Sequence, residues 1–157
     1  MKIISITDHN NINGVKEAIR INSSKEITII PGIELSAKYR GGQLHILGYN
    51  LCLDNVALNH LCTLIMEDNL KRIQSLVENL FNVYKISFKD EELQDIYNFK
   101  GNIGRPQIAK LCVKYGYSSS VKEAFKTLFN PIKDRIIKRT IEPTAKECID
   151  YILKAGG

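Results

Sequence analysis

The sequence predicts an α/β protein with a large all-helical segment set into it, and three features carry that prediction. Two short β-branched apolar runs, KIISIT at 2–7 and ITIIPGIEL at 27–35, flank a stretch of helical period. The texture then changes abruptly near residue 51, after which apolar residues recur at helical spacing almost throughout. Finally, Asp8 and His9 end the first apolar run, Glu34 ends the second, and His45 falls in a third short strand.

KIISIT suits a buried strand. The following INGVKEAIRINSS (12–24) repeats Val15, Ala18 and Ile19 on one helical face, and ITIIPGIEL is a second buried strand. Two buried strands joined by a helix pair most readily as parallel neighbours, so this unit predicts a right-handed crossover in an α/β sheet or barrel. RGGQLHILGYN (40–50) turns on Gly41-Gly42 and offers a third strand.

Beyond residue 51, Leu61, Leu64, Ile65, Ile73, Leu76, Val77, Leu80 and Phe81 form the packing face of a long helix whose other face carries Glu67, Asp68, Lys71, Arg72 and Glu78. A second helix opens at GRPQIAKLCVKYG (104–116), with Pro106 tolerated in the first turn and Gly116 as the stop. Ser120 with Glu123, and Thr144 with Glu147, each read as a capping box opening a further helix, the last running through Tyr151, Ile152 and Leu153.

Composition bounds the function. A chain of 157 residues with 44% apolar content can bury one ordinary core, with or without an insertion. No run reaches the ~20 apolar residues that span a bilayer and no signal peptide opens the chain, so the protein reads as cytoplasmic and away from membranes. Cys52, Cys62, Cys112 and Cys148 are widely spaced, which argues against a zinc ribbon or disulfide scaffold and for buried free thiols. Residues 1–100 carry 11 basic against 12 acidic side chains, and residues 101–157 carry 11 against 5. The positive C-terminal part is either a solvated surface or a face for an anionic partner such as a nucleotide or nucleic acid.

Asp8 and His9 end the first strand, Glu34 ends the second apolar run, and His45 falls in the third. In a parallel α/β architecture the carboxyl ends of strands are where sites are built. Neutral imidazoles suit zinc, iron or manganese, and a glutamate can bridge two cations, so His9, Glu34 and His45 are the candidate metal ligands. His60, inside ALNHLCTL on the long helix, reads as structural.

TDHNNINGVKEA (7–18), IPGIELSA (30–37) and LHILGYN (44–50), with GRPQIAKLCVKYGYSSSVKEAF (104–125) and IDYILKAGG (149–157), resemble the polymerase and histidinol phosphatase (PHP) family, in particular its small metal-dependent phosphoesterases. The resemblance implies a distorted β/α barrel, with residues 1–50 forming part of it, 51–142 an all-helical insertion and 143–157 a helix returning to it. It also implies up to three divalent ions (Zn, Mn or Fe) held by residues that include His9, Glu34 and His45. Asp8 matches an acid that orients an imidazole, and Arg105 a guanidinium that grips a substrate phosphate. Family members begin with an H-x-H motif and end with further ligands that this chain does not contain, and they carry histidine at the position of Gln107. The implied activity is metal-dependent hydrolysis of phosphomonoesters, on a phosphorylated small molecule, nucleotide or short RNA, with an incomplete metal site in this chain.

Two other readings remain. IAKLCVKYGYSSSVKEAFKTLF (108–129) has the outline of a helix-turn-helix, with Lys110, Lys114, Lys122 and Lys126 available for phosphates, although Glu123 among its reading positions disfavours DNA. A catalytically inactive scaffold derived from the family is the other. Open strand edges predict self-association through the sheet as a symmetric dimer or larger species.

Overall fold

The computed structural model describes residues 2–24 and 26–157. Among them are a three-stranded sheet and six α-helices, in the order β1 (Ile3–Ile6), α1 (Asn13–Ile21), β2 (Thr28–Tyr39), β3 (Gly42–Tyr49), α2 (Val56–Tyr84), α3 (Asp90–Tyr97), α4 (Arg105–Lys114), α5 (Val121–Ala124) and α6 (Ala145–Lys154). Two compact units divide the chain: residues 1–66, 100–102 and 141–157 form the first, and 67–99 with 103–140 the second. The fold is mixed α/β.

In the first unit the sheet order is β1-β2-β3. The expected crossover is present, since β1 pairs parallel to β2 with Ile3 opposite Thr28 and Ile6 opposite Pro31. β3 differs from a parallel-barrel strand because it runs antiparallel to β2, from Gly32 opposite Tyr49 to Tyr39 opposite Gly42. The cause is local. Arg40 and Gly41, both at positive φ (45° and 79°), make a two-residue hairpin turn one position earlier than the Gly41-Gly42 turn expected, and such a turn returns the chain antiparallel. The described strands thus make an open sheet, with no strand on the outer edge of β1 or of β3.

Alternation along β2 sets the two faces apart. Ile33, Leu35 and Ala37 are buried with Val15 of α1, Leu58, Leu61 and Ile65 of α2, and Cys148 and Ile152 of α6. Helix α6 lies so close to β3 that a methyl group on Gly48 would come within 2.8 Å of the Ile152 side chain. Thr144 opens α6 with a complete capping box: its Oγ1 accepts from the Glu147 N–H at 3.3 Å, while Glu147 Oε2 accepts from the Thr144 N–H at 2.7 Å. Those bonds hold the Glu147 carboxyl below its ordinary range.

The second unit packs Ile73, Leu76 and Leu80 of α2 against Ile108, Ala109 and Cys112 of α4, together with Phe129 and Ile132. Helix α3, not singled out in the sequence, starts on three acids, Asp90, Glu91 and Glu92, which favour a helix N-terminus. Helix α4 carries Pro106 in its first turn, as expected, and the Gln107 carboxamide oxygen accepts from the Gly104 N–H at 3.0 Å, so Gln107 caps the helix it opens.

Five expectations are corrected. Ser120 accepts from the Glu123 N–H at 3.1 Å, but the Glu123 carboxylate turns to the Ser119 N–H and the hydroxyls of Ser118 and Ser119, so only half of that capping box forms. The helix it opens is α for one turn only, passing into a π segment (Phe125–Phe129) and a 3-10 segment (Asn130–Arg135). Asp68, assigned to a solvated face, is buried and accepts the Thr140 N–H at 3.1 Å, while Phe81, assigned to the packing face, is exposed. Cys62, Cys112 and Cys148 are buried thiols pushed up to about 11 by desolvation, but Cys52 is exposed.

Candidate metal centre

His9, Glu34 and His45 come together on the face of the sheet opposite the core. Each arrives by a different route. His9 follows β1 in a single parallel bridge to Glu34, closed by the Glu34 N–H donating to Asp8 O at 3.1 Å and the Asn10 N–H donating to Glu34 O at 2.9 Å. Glu34 sits within β2, and His45 is opposite Ser36 on β3, one diagonal step along the same face. His45 therefore enters from the middle of an antiparallel strand rather than from the carboxyl end of a parallel one.

The two oxygens of Glu34 face different imidazoles. Oε2 is 3.5 Å from Nε2 of His9 and Oε1 is 3.2 Å from Nδ1 of His45, and the ring centroids lie 4.8 Å apart, edge to face. Glu34 is the more sheltered, at 23% side-chain exposure against 47% for His9 and 44% for His45. A set of two imidazoles and one carboxylate is the donor set of many catalytic zinc and non-haem iron sites, and the donor atoms here, one from each residue, all lie within 4.8 Å of one another. Donors about 2.1 Å from one tetrahedral ion stand roughly 3.4 Å apart. The residues thus fit a divalent cation, with open positions left for water or substrate.

Two residues unremarked in the sequence hold this arrangement. Asn10 is buried at positive φ (51°); its Oδ1 accepts from the Ser36 N–H at 2.8 Å, and its Nδ2 donates to Ser36 Oγ at 3.1 Å. That clip ties the turn after His9 to β2. Ser36 Oγ in turn lies 3.4 Å from Nδ1 of His45, with the donor set by the imidazole tautomer. The signal available for Ser36 was its position two residues after Glu34, on the same face of a strand.

The other candidates are placed elsewhere. Asp8 is exposed and its carboxylate lies against the first turn of α1, where a methyl group on Gly14 would overlap Oδ2, and among the described residues it bonds neither imidazole. Arg105 belongs to the second unit, where it is exposed at the start of α4 with its guanidinium carbon 5.1 Å from the Phe125 ring centroid. His60 is exposed on α2. Lys114, one of the four lysines assigned to phosphates, is instead paired with Glu92, which also accepts from the Tyr115 hydroxyl. Those contacts lower the Glu92 pKa and raise that of Lys114.

No family model matches the chain, and no curated protein matches it. Solved structures do. A candidate metal-dependent phosphoesterase from Bifidobacterium adolescentis superposes with a TM-score of 0.82 at 23% identity, covering 100% of this chain and 55% of its own. An amidohydrolase from Chromobacterium violaceum, solved with sulfate bound and no metal, superposes with a TM-score of 0.79 at 22% identity, covering 99% and 54%. The fold is therefore one shared with proteins described as hydrolases, and the chain spans about half the length of these structures. Among the described residues no helix is long and apolar enough to cross a membrane.

Proposed function

We propose that this chain is part of a metal-dependent phosphoesterase of the PHP type, in which His9, Glu34 and His45 hold a divalent ion and the open side of the sheet receives a phosphomonoester. The convergence of three ligand side chains, from the turn after β1, from β2 and from β3, on one solvent-facing spot carries the reading. A bound divalent ion would supply an acidified water and charge stabilisation at the phosphoryl oxygens. The chain's own contribution is placement. Asn10 and Ser36 fix the backbone that presents His9 and Glu34, and the two oxygens of Glu34 hold the imidazoles apart at a spacing suited to a cation. In this reading Asp8 fixes the turn that carries His9 by filling the space over Gly14, and the substrate is a nucleotide or short RNA. The sheet belongs to a distorted β/α barrel.

A nucleic-acid-reading helix-turn-helix is the weaker alternative. The segment following Ser120 keeps α geometry for one turn, with Ala124 and Phe129 buried, and so offers no straight helix to a major groove.

The test is metal analysis after purification without chelator, followed by phosphomonoester turnover. This chain by itself is expected to take up divalent metal incompletely and to turn over little. A chain that also carries the family's H-x-H and later ligand motifs is expected to gain both. Two or three tightly held ions on residues 1–157, or no gain from the added motifs, would overturn the proposed ligand set.

A further inference from the structure

Residues 133–140, in the second unit, form a strap, 3-10 through Arg135 and extended beyond it, fastened along one stripe of α2. Asp68, Arg72, Ser75 and Asn79, at helical spacing, all bond its backbone. Asn79 Nδ2 donates to Arg135 O at 3.3 Å, Arg72 Nε to Ile137 O at 3.4 Å, the Ile137 N–H to Ser75 Oγ at 3.2 Å, and the Thr140 N–H to Asp68 Oδ1 at 3.1 Å. From Asp68 to Asn79 the helix advances about 16 Å. Five residues of extended chain, from 135 to 140, cover about the same distance. Beyond Arg135 the strap is thus pulled out straight, antiparallel to the helix, and held by its main chain while Ile136 packs on the core.

This fastening uses none of the strap's own charges. Lys133, Arg135 and Lys138 are exposed and Arg139 is half-buried; among the described residues none of the four has an acidic partner, and Nε of Arg139 has no acceptor. Asp134 is the single acid between them. Four cations follow one another along this strap, Lys133 and Arg135 on its 3-10 turn and Lys138 and Arg139 on its extended part, rather than gathering in a pocket, and match a linear ligand whose negative charge repeats. Two are arginines, whose planar fork suits phosphate. The strap itself offers no α-helix for reading base edges, so contact falls on the phosphate backbone.

We propose that this strap binds the backbone of single-stranded nucleic acid without regard to sequence. The inference stands on the second unit alone and requires no metal at His9, Glu34 and His45.

The experiment is fluorescence anisotropy with labelled 12-nucleotide single strands on the whole chain, in EDTA, as a function of salt. Chelator removes any hydrolysis, so the outcome is separate from that of the metal proposal. The variant with Lys133, Arg135, Lys138 and Arg139 all changed to glutamine should bind at least tenfold more weakly. Its salt slope should fall by about 3, at roughly 0.7 for each phosphate that is no longer neutralised. Should that variant unfold, Lys133→Gln with Lys138→Gln, both exposed, is expected to remove about half of the slope; Lys110→Gln on α4 should change neither quantity. Unchanged binding by the strap variants would overturn the proposal, as would absence of binding at low salt. Equal or tighter binding of a polyglutamate peptide of matched charge would also overturn it, in favour of an acidic protein partner.

Discussion

The two units spend their polar side chains differently. In the second, α2, α4 and the segment around Phe129 enclose a core on themselves, and buried polar groups such as Asp68 and Ser75 are used up in fastening the strap. In the first, β2 buries Ile33 and Leu35 completely on one face, while on the other Ile3, Leu47 and Tyr49 remain 58%, 48% and 47% exposed on the side of the sheet that carries His9, Glu34 and His45. The difference separates a core that is finished from a surface that is not. Where packing is closed, polar residues such as Asp68 and Ser75 are bonded to backbone; where the sheet face is open, His9, Glu34 and His45 stand together at the surface.

The largest way to test that contrast is to damage the closed core. Phe129 is fully buried, and Phe129→Ala should cost about 3–5 kcal/mol by lost transfer energy and cavity formation. Followed by calorimetry, the loss should fall on the unfolding of residues 67–140, with metal uptake at His9, Glu34 and His45 kept. Equal loss of both would mean that the two units fold as one.

Next in size is the open site itself. Glu34→Gln keeps the shape but removes the charge that both imidazoles face, and metal affinity measured by titration calorimetry should fall about 100-fold, some 2.7 kcal/mol. In a chain carrying the full ligand set kcat should fall severely as well, whereas His60→Ala should match the unsubstituted protein. Matching effects from the two substitutions would sink the ligand assignment.

Much of this was readable in the sequence, and the reasons differ by region. The β1-α1-β2 crossover followed from apolar periodicity, and the Thr144–Glu147 box from a local motif whose partners lie three residues apart. The direction of β3 was not readable. It depends on Arg40 adopting positive φ, which residue type disfavours and only the hairpin's closure supports. Asp68 was misassigned because a carboxylate on a helix gives no sign that a backbone N–H seventy residues later will bury it. Ser120–Glu123 satisfied the capping pattern and still formed half of it, since Ser118 and Ser119 offer the same carboxylate closer donors. The three ligand side chains were legible as residue types, His9 after the first strand and Glu34 and His45 within the next two, but Asn10 and Ser36, which place them, were visible only as neighbours in space.

A smaller effect should appear at acid pH, and in both units. The Glu147 carboxyl is held low by the Thr144 N–H and hydroxyl, and Glu92 by Lys114 and Tyr115. A carboxyl lowered on folding contributes stability that is present above its ordinary 4.5 and lost as pH falls through the depressed value. Thermal melts should therefore weaken from about pH 5 downward. Thr144→Ala should cost about 1 kcal/mol at neutral pH and less once Glu147 is protonated. A cost independent of pH would mean that the Thr144 hydroxyl acts without its carboxylate partner.

The smallest effect concerns the open face directly. The exposed parts of Ile3, Leu47 and Tyr49 amount to on the order of 300 Å² per chain, so two such faces would bury roughly 600 Å², below the ~1,200 Å² of a stable interface. At ~25 cal/mol per Å² the gross gain is of the same size as the translational and rotational cost of association, which leaves little net affinity. Pairing of the free edges of β1 or β3 adds hydrogen bonds and register, and would make a second copy bind through the sheet and not through the helical unit. Sedimentation at low micromolar concentration is accordingly expected to show a reversible species larger than monomer. Ile3→Lys with Tyr49→Ser, both away from the three ligands in sequence, should return it to monomer while leaving the Phe129 core untouched. A chain that stays monomeric at high micromolar concentration would show that this face is adequately solvated by the polar side chains around it, and the contrast between the units would then rest on the metal ligands alone.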